Sequence, residues 1–347
     1  MENQGINHNL LREVNRLAVQ SRFIGVVSVL VAVLALTVLW GKDVVEPLSS
    51  AGGAGKPSPE GNGNYIRHVS EFLPEDFPDT EEGRLAAFGR QIITETAKYL
   101  GPGNSFGEAY SGNHLSCSSC HLNGGTKAYA APYIGLSGIY PMFSNRDGRV
   151  ASLEDRINGC FERSMNGRRM PVDRREMVAI VSYMKHLSRN VKIGSRIEGQ
   201  RFTDLKLPDR KADLAKGERV FQVHCVSCHG QDGHGQWNNA QQTSEGYLYP
   251  PLWGDDSFND GAGMGRMITA AKFIKGNMPL GVTAENPILT DEEAYDVAAY
   301  INSFGRPEKA NKERDYPDLA KKPKDSAYPP FADDISAEQH KYGPFSF

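Results

Sequence analysis

The sequence predicts an all-α protein in which one helical plan is used twice in tandem, behind an apolar N-terminal segment. Three observations carry this. The string C-x-x-C-H occurs twice, as Cys117-Ser118-Ser119-Cys120-His121 and Cys225-Val226-Ser227-Cys228-His229. Stretches with helical apolar spacing flank each copy. Residues 23–40, FIGVVSVLVAVLALTVLW, run eighteen positions without a charge. A chain of 347 residues has room for two to three ordinary domains. Its 39 basic and 42 acidic residues leave a formal charge of −3, which argues against a nucleic-acid binder. With 36 glycines and 20 prolines the loops are generous, and five unevenly spaced cysteines do not make a disulfide scaffold.

The apolar run reads as a transmembrane anchor over 23–41, with residues 1–22 on the cytoplasmic side. As a helix it would be about 27 Å long, close to a hydrocarbon core of ~30 Å. Arg12, Arg16 and Arg22 precede it, and Trp40 and Lys42 close it like an interfacial belt. The competing reading is a cleaved signal, with Ser50-Ala51-Gly52 as the small-residue site. Either reading exports the rest of the chain. Residues 42–80 are expected to be a tether. Their stretch 47–64 holds five glycines and three prolines and almost nothing apolar, and as a coil it would span roughly 23 Å.

C-x-x-C-H is the attachment signature of c-type haem. The thiols of Cys117 and Cys120, and of Cys225 and Cys228, would add to the porphyrin vinyls. His121 and His229 would then stand under the irons as proximal ligands. A redox dithiol, a zinc half-site or a local disulfide is the alternative for a single copy. Two copies behind an export segment predict two covalent haems. Around the second motif, 214–224 carries Leu214, Gly217 and Phe221 at helical spacing, and 291–304 is an amphipathic helix opening on Asp291. Around the first, 81–100 and 175–189 repeat the plan. Paired helices crossing beside a haem resemble the class I cytochrome c fold. The expected haem domains are therefore 81–195 and 213–306, joined by a linker at 196–212. A tail at 307–347 holds six prolines, and its periodicity does not decide between an ordered wrap and a loose end.

The distal ligands decide the chemistry, because an iron with two strong axial ligands mainly transfers electrons. In the second domain Met278, 49 residues past His229 and followed by Pro279, is the expected ligand. Met264, Met267, Lys272 and Lys275 are the alternatives. In the first domain two registers disagree. Met170-Pro171 also lies 49 residues past His121, whereas counting back from Tyr183, the counterpart of Tyr300, reaches Cys160. Spacing leaves Cys160, Met165 and Met170 open. Cys160 is the one cysteine outside the motifs, and a thiolate is a strong, soft iron ligand. Arg146, Arg149, Arg156, Arg163, Arg168 and Arg169 surround it in sequence, with Asp147, Glu154, Asp155 and Glu162 in between. That pattern is either a solvated charged loop or, with two arginines turned inward, an oxyanion pocket.

Three strings, RINGCFERSMNG at 156–167, GRQIITETAKYLG at 89–101 and LSCSSCHLNGGT at 115–126, are similar to the thiosulfate dehydrogenases. The likeness runs over roughly 85–347, through NMPLG at 277–281 and HKYGPF at 340–345. It implies a dihaem enzyme that couples two thiosulfates into tetrathionate. It implies His121 and Cys160 on a catalytic first haem, and His229 and Met278 on a second haem that passes electrons onward. Arg146 and Arg156 would match the substrate arginines, with Ser164 as a hydrogen-bonding neighbour. Some members have a lysine before the distal methionine; here it is Asn277, so no lysine-to-methionine switch is expected. The anchor departs from a mostly soluble periplasmic family.

In the mechanism we expect, Cys160 leaves the iron and carries a covalent adduct of the first thiosulfate, and electrons leave through the second haem; the tether points to an acceptor near the membrane, a cytochrome c or a terminal oxidase. A thiolate ligand lowers the haem potential, which would also suit tetrathionate reduction. The rival readings are a tethered dihaem electron carrier with Met170 on the first iron, a dihaem peroxidase, and a sulfur-carrier oxidase subunit. His114, His186, His224 and His234 read as surface or packing histidines, and Tyr110, Phe221 and Trp253 as core. Gly124-Gly125 is expected to permit close backbone approach to the porphyrin.

Overall fold

The computed structural model describes residues 66–73 and 76–347. The expected anchor and most of the tether lie outside those residues. Among the described residues no helix is long and apolar enough to cross a membrane.

The helices include the two predicted sets, with Leu153–Arg163 and Met267–Asn277 as further helices between them. In the first half, besides a distorted turn at Leu122–Gly125, they are α1 (Glu81–Thr94), α2 (Thr96–Leu100), α3 (Leu153–Arg163) and α4 (Arg175–Ser188). In the second half they are α5 (Leu214–His224), α6 (Val226–His229), α7 (Met267–Asn277) and α8 (Asp291–Ser303), and α9 (Ala337–Tyr342) lies in the tail. Two small antiparallel hairpins interrupt the helical plan. One pairs β1 (Met142–Ser144) with β2 (Arg149–Ala151), and the other pairs β3 (Gln236–Trp237) with β4 (Tyr247–Tyr249).

Each half is organised by one helix crossing. α1 meets α4 at Gly89, where a Cβ would stand 2.0 Å from the Ala179 carbonyl oxygen. α5 meets α8 at Gly217, where a Cβ would stand 2.2 Å from the Asp296 carbonyl oxygen. Only glycine lets the backbones approach this closely, so the two positions fix equivalent geometry in the two halves. Around the first crossing Ile92, Ile93, Ile180, Met184 and Leu187 form a buried core. Around the second the core is Phe221, Trp253, Ala271, Tyr295, Val297 and Ala298.

The expected single helix over 81–100 breaks at Glu95, whose φ/ψ of −126°/42° are not helical. The break places the Thr96 hydroxyl to donate to the Ile92 carbonyl at 2.8 Å and to accept the Cys117 N–H at 3.0 Å. It thereby anchors the start of the first C-x-x-C-H motif.

The tether ends earlier than 80. Residues 69–72 form a 3₁₀ turn capped by His68, and Val69 and Phe72 are buried in the first core. The linker at 196–212 is also packed. Gln200 donates to the Ile134 carbonyl at 3.0 Å, and Phe202 bridges Ala130. The tail is ordered and returns to the body: the Tyr342 carbonyl accepts the Ala212 N–H at 2.9 Å and the Tyr295 hydroxyl at 3.1 Å.

The crossing at Gly217 makes a direct stability prediction. Gly217→Ala forces a methyl group against the Asp296 carbonyl and should cost about 1–3 kcal/mol, typical of overpacking. Denaturant unfolding of the haem-loaded protein would show it as a lowered midpoint with an unchanged slope.

Candidate active site

Helix α3 builds the first site. Ser152 caps it, accepting the Asp155 N–H at 3.1 Å while the Asp155 carboxylate accepts the Ser152 N–H. From that start Arg156, Cys160 and Ser164 follow at intervals of four, so they share one face. Buried Ile157 and Phe161 pack beside them.

This face closes a cavity of about 790 Å³, part of it open to solvent. Cys117, Cys120 and His121 line it together with Arg156, Cys160 and Ser164. His121 donates from Nδ1 to the Ala131 carbonyl at 2.7 Å, which leaves Nε2 for a metal. Burial, with the Arg156 charge adding, lowers the His121 pKa to about 4, so the ring is in the neutral, ligating form. Burial also holds the Cys117 and Cys120 thiols up at about 12, so before haem attachment both are neutral.

The second motif repeats the arrangement. His229 is buried and donates from Nδ1 to the Pro250 carbonyl at 2.8 Å. Four residues past each histidine stands a glycine of positive φ, Gly125 and Gly233. A Cβ on either would lie 2.1 Å from an aromatic ring, that of Tyr133 or Trp253. The close approach at Gly125 is thus to Tyr133, whose ring lies 4.6 Å from that of His121. Oriented imidazoles and paired thiols fit a covalent haem c at each motif, and at the first an apolar cavity stands beside them.

Of the six arginines around Cys160, Arg156 alone lines the cavity. Its pKa is raised, first by electrostatic attraction to Cys160 and against the cost of burial. Tyr140, which sequence reasoning missed, faces Arg156 and Cys160 from the loop before β1. The other arginines are engaged elsewhere. Arg149 grips Asp155 through two bonds of 2.9 Å, Arg169 reaches Asp155 at 2.7 Å, and Arg163 pairs with Asp315 at 2.7 Å. Arg168 donates to the Ala109 carbonyl at 3.1 Å. Arg146 is not on the cavity wall; its Nε donates to the Tyr316 hydroxyl at 3.3 Å.

Met165 lines the cavity and Met170 does not. Met170 is fully buried in the core, its N–H and carbonyl held by the Asn158 amide at 2.7 and 2.9 Å. Met264, an alternative ligand for the second haem, packs against the second core and also lines the first cavity, as does Phe258. Both come from the second half of the chain, and a separation of about a hundred residues gives no local signal for such a contact. Met278 directly follows α7 and packs against the second core. The preceding Asn277 is fully buried and donates to the Tyr129 carbonyl at 3.0 Å. Among the suggested histidines, His114 pairs with Asp256 at 3.0 Å and His234 with Asp232 at 3.3 Å.

These features define a tandem dihaem c-type cytochrome whose first site carries a cysteine and an arginine beside the haem position. Comparison with known proteins agrees. Residues 104–193 match the SoxA/TsdA cytochrome c domain and 214–305 match the cytochrome c family. The thiosulfate dehydrogenase of Psychrobacter arcticus is 44% identical over 71% of this chain and 71% of its own length. That of Allochromatium vinosum is 41% identical over 66% of this chain and 81% of its own length. The solved thiosulfate dehydrogenase TsdBA of Marichromatium purpuratum, in its as-isolated form, superposes with a TM-score of 0.63 at 32% identity. That match covers 70% of this chain and 51% of the other. The chain belongs to the thiosulfate dehydrogenase family, and it is an oxidoreductase with two covalently attached haem c groups.

Asp155 supports a pH prediction. Its carboxyl is held well below the usual carboxylate range, first by the Arg149 fork and then by Ser152 and Arg169, against partial burial. A depressed carboxylate stabilises the fold above its unfolded pKa of about 3.9 and loses that contribution as pH falls below it. Asp155→Asn should therefore be less stable than the native protein at pH 7, by about 1–2 kcal/mol. Thermal melts from pH 7 down to 2.5 should show the gap closing below pH 4.

Proposed function

We propose that the protein couples two thiosulfates into tetrathionate at the first haem site and passes two electrons onward through the second. The observation that carries this reading is the Arg156–Cys160 pair, one turn apart on α3 and facing the same cavity as His121. His121 and Cys160 would hold the first haem, and His229 and Met278 the second. When bound, the haems supply one-electron acceptors. The position of Met170 outside the cavity wall supports Cys160 over the methionine in the first set.

The chain's own residues would act as follows. Arg156 offsets part of the charge of the thiosulfate dianion in a site where burial strengthens the attraction. The Ser164 hydroxyl, on the same helix face, donates to a sulfonate oxygen. The Cys160 thiolate bonds to the sulfane sulfur of the first thiosulfate, and the pair gives up two electrons to form Cys–S–S–SO₃⁻. A second thiosulfate attacks that sulfane, forming tetrathionate and returning Cys160 as thiolate. This exchange step is reversible, so the site also suits tetrathionate reduction.

We assign catalysis to a domain at 81–195 and onward electron transfer to one at 213–306. The body would lie in the periplasm, tethered to the inner membrane by residues 23–41, with a cytochrome c or a terminal oxidase as acceptor. The c-type motifs and the apolar run support that placement.

The test is thiosulfate-dependent ferricyanide reduction with tetrathionate quantified. The native protein should turn over, and Cys160→Ala should lose at least about a hundredfold in kcat, as expected for removal of a covalent nucleophile. Full turnover by Cys160→Ala would overturn the assigned role of the thiolate. Failure of both proteins, with His/Met-type spectra at both haems, would instead identify an electron carrier.

A further inference from the structure

The loop at 257–266 belongs to the second half of the chain, yet its Phe258 and Met264 wall the first cavity together with Cys117, His121 and Cys160. Around this loop four buried donors find no acceptor among the described residues: Ser257 Oγ, Arg163 Nη1, Arg266 Nε and Arg306 Nη1. Orphaned donors are uncommon in a folded protein, because each loses its water and gains nothing in return. Four of them around one loop point to a group that brings acceptor oxygens.

Two of the three arginines keep a carboxylate. Arg163 lies against Gly261 and pairs with Asp315 at 2.7 Å, and Arg266 closes the loop with Asp325 at 3.6 Å. Arg306, just past α8, differs. Its guanidinium lies over the Phe258 ring, 4.2 Å from the centroid, and donates from Nη2 to the Ile301 carbonyl at 3.1 Å. Among the described residues it has no ion pair. The one carboxylate whose field reaches it, Asp260, is already held by Lys312 and by the Lys309 N–H. Burial pulls the Arg306 pKa down to about 10, with Asp260 offsetting part of the effect, so the group stays charged at neutral pH. It is a buried cation on an aromatic ring with no anion of the chain against it.

We propose that Arg306 is a haem-binding residue: its guanidinium pairs with a propionate carboxylate of a haem at the 257–266 loop. Each haem c brings two such carboxylates, and attachment through the C-x-x-C-H cysteines leaves them free. They supply both the charge and the acceptor oxygens that Arg306 lacks in the chain, and a guanidinium fork suits a carboxylate. Because Phe258 lines the first cavity, the first haem is the expected owner. A propionate of the second haem has the same chemistry, and the measurement below tells the two apart. The pairing depends on the haems alone and stands whether or not thiosulfate is the substrate.

The test is a spectroelectrochemical redox titration of the full haem-loaded chain, native and with Arg306→Gln or Arg306→Lys. A paired arginine offsets a propionate charge that otherwise favours ferric iron. Arg306→Gln should therefore lower the potential of one haem, moving its redox equilibrium constant about threefold or more toward the ferric form. Arg306→Lys, which keeps the charge, should undo at least half of that shift. Different distal ligands separate the two waves, so the haem that moves is identified. A shift in the first haem supports the expected owner, and a shift in the second supports the same pairing with its propionate. No shift in either haem, or equal shifts in the two variants, would overturn the proposal. A crystal structure of the native haem-loaded chain needs no variant. A propionate oxygen within hydrogen-bond distance of Arg306 Nη1 supports the pairing, and a water or an acceptor of the chain in that place overturns it.

Discussion

A guanidinium and a thiol one helical turn apart, both facing one largely apolar cavity, form the interaction on which the candidate site depends. Neither group is at ease there alone. Burial opposes the charge on Arg156, and the sulfur of Cys160 is what raises its pKa in spite of that cost. Much of the surrounding structure holds this pair in register. The Ser152 cap starts α3 at a fixed residue. Asp155 gathers Arg149 and Arg169 on the outer face, and Asp315 fixes Arg163 at the last turn. Arginines drawn off by carboxylates leave Arg156 as the cavity's positive charge, so a run that is nearly neutral in sequence becomes polarised in space.

The duplicated plan was legible because its physics is local. A glycine one turn before an aromatic marks a close crossing at 217–221, and the C-x-x-C-H strings mark where the haems attach. The distal ligand of the first haem was not legible by counting alone, because two registers disagree. The two halves place their Met-Pro pairs differently. Met278-Pro279 follows α7 directly, whereas Met170-Pro171 lies beyond α3, with the 164–169 turn between them. Counting from the C-terminal helix gives the other register, from a helix that in each half crosses the first helix at a glycine.

What escaped the sequence entirely is long-range. Tyr140 gave no periodic signal, and Phe258 and Met264 reach the first cavity from the other half. The tail read as a proline-rich stretch of undecided order. Its order comes from scattered single contacts, such as Asp315 with Arg163 and Tyr342 with Ala212 and Tyr295. No window of sequence sums such contacts into a recognisable pattern.

This long-range assembly bears on how the two halves work as one unit. The first cavity is walled in part by residues of the second half, so neither half alone presents the complete site. Asn277 donates to the Tyr129 carbonyl, and two residues further along the Ala131 carbonyl accepts from His121. The residue beside Met278 and the imidazole of the first motif are therefore tied to one short segment, 129–131. In that segment Tyr129 and Ala131 both have positive φ, and Ala130 is buried in the second core. A segment so constrained has little freedom to relax on one side alone. Displacement of the 277–279 loop would be felt at the first histidine, and a change at the first histidine would reach that loop. Separating such halves by a longer linker would break the wall of the cavity and this hydrogen-bonded path together, which gives a physical reason why the connection at 196–212 is packed rather than free.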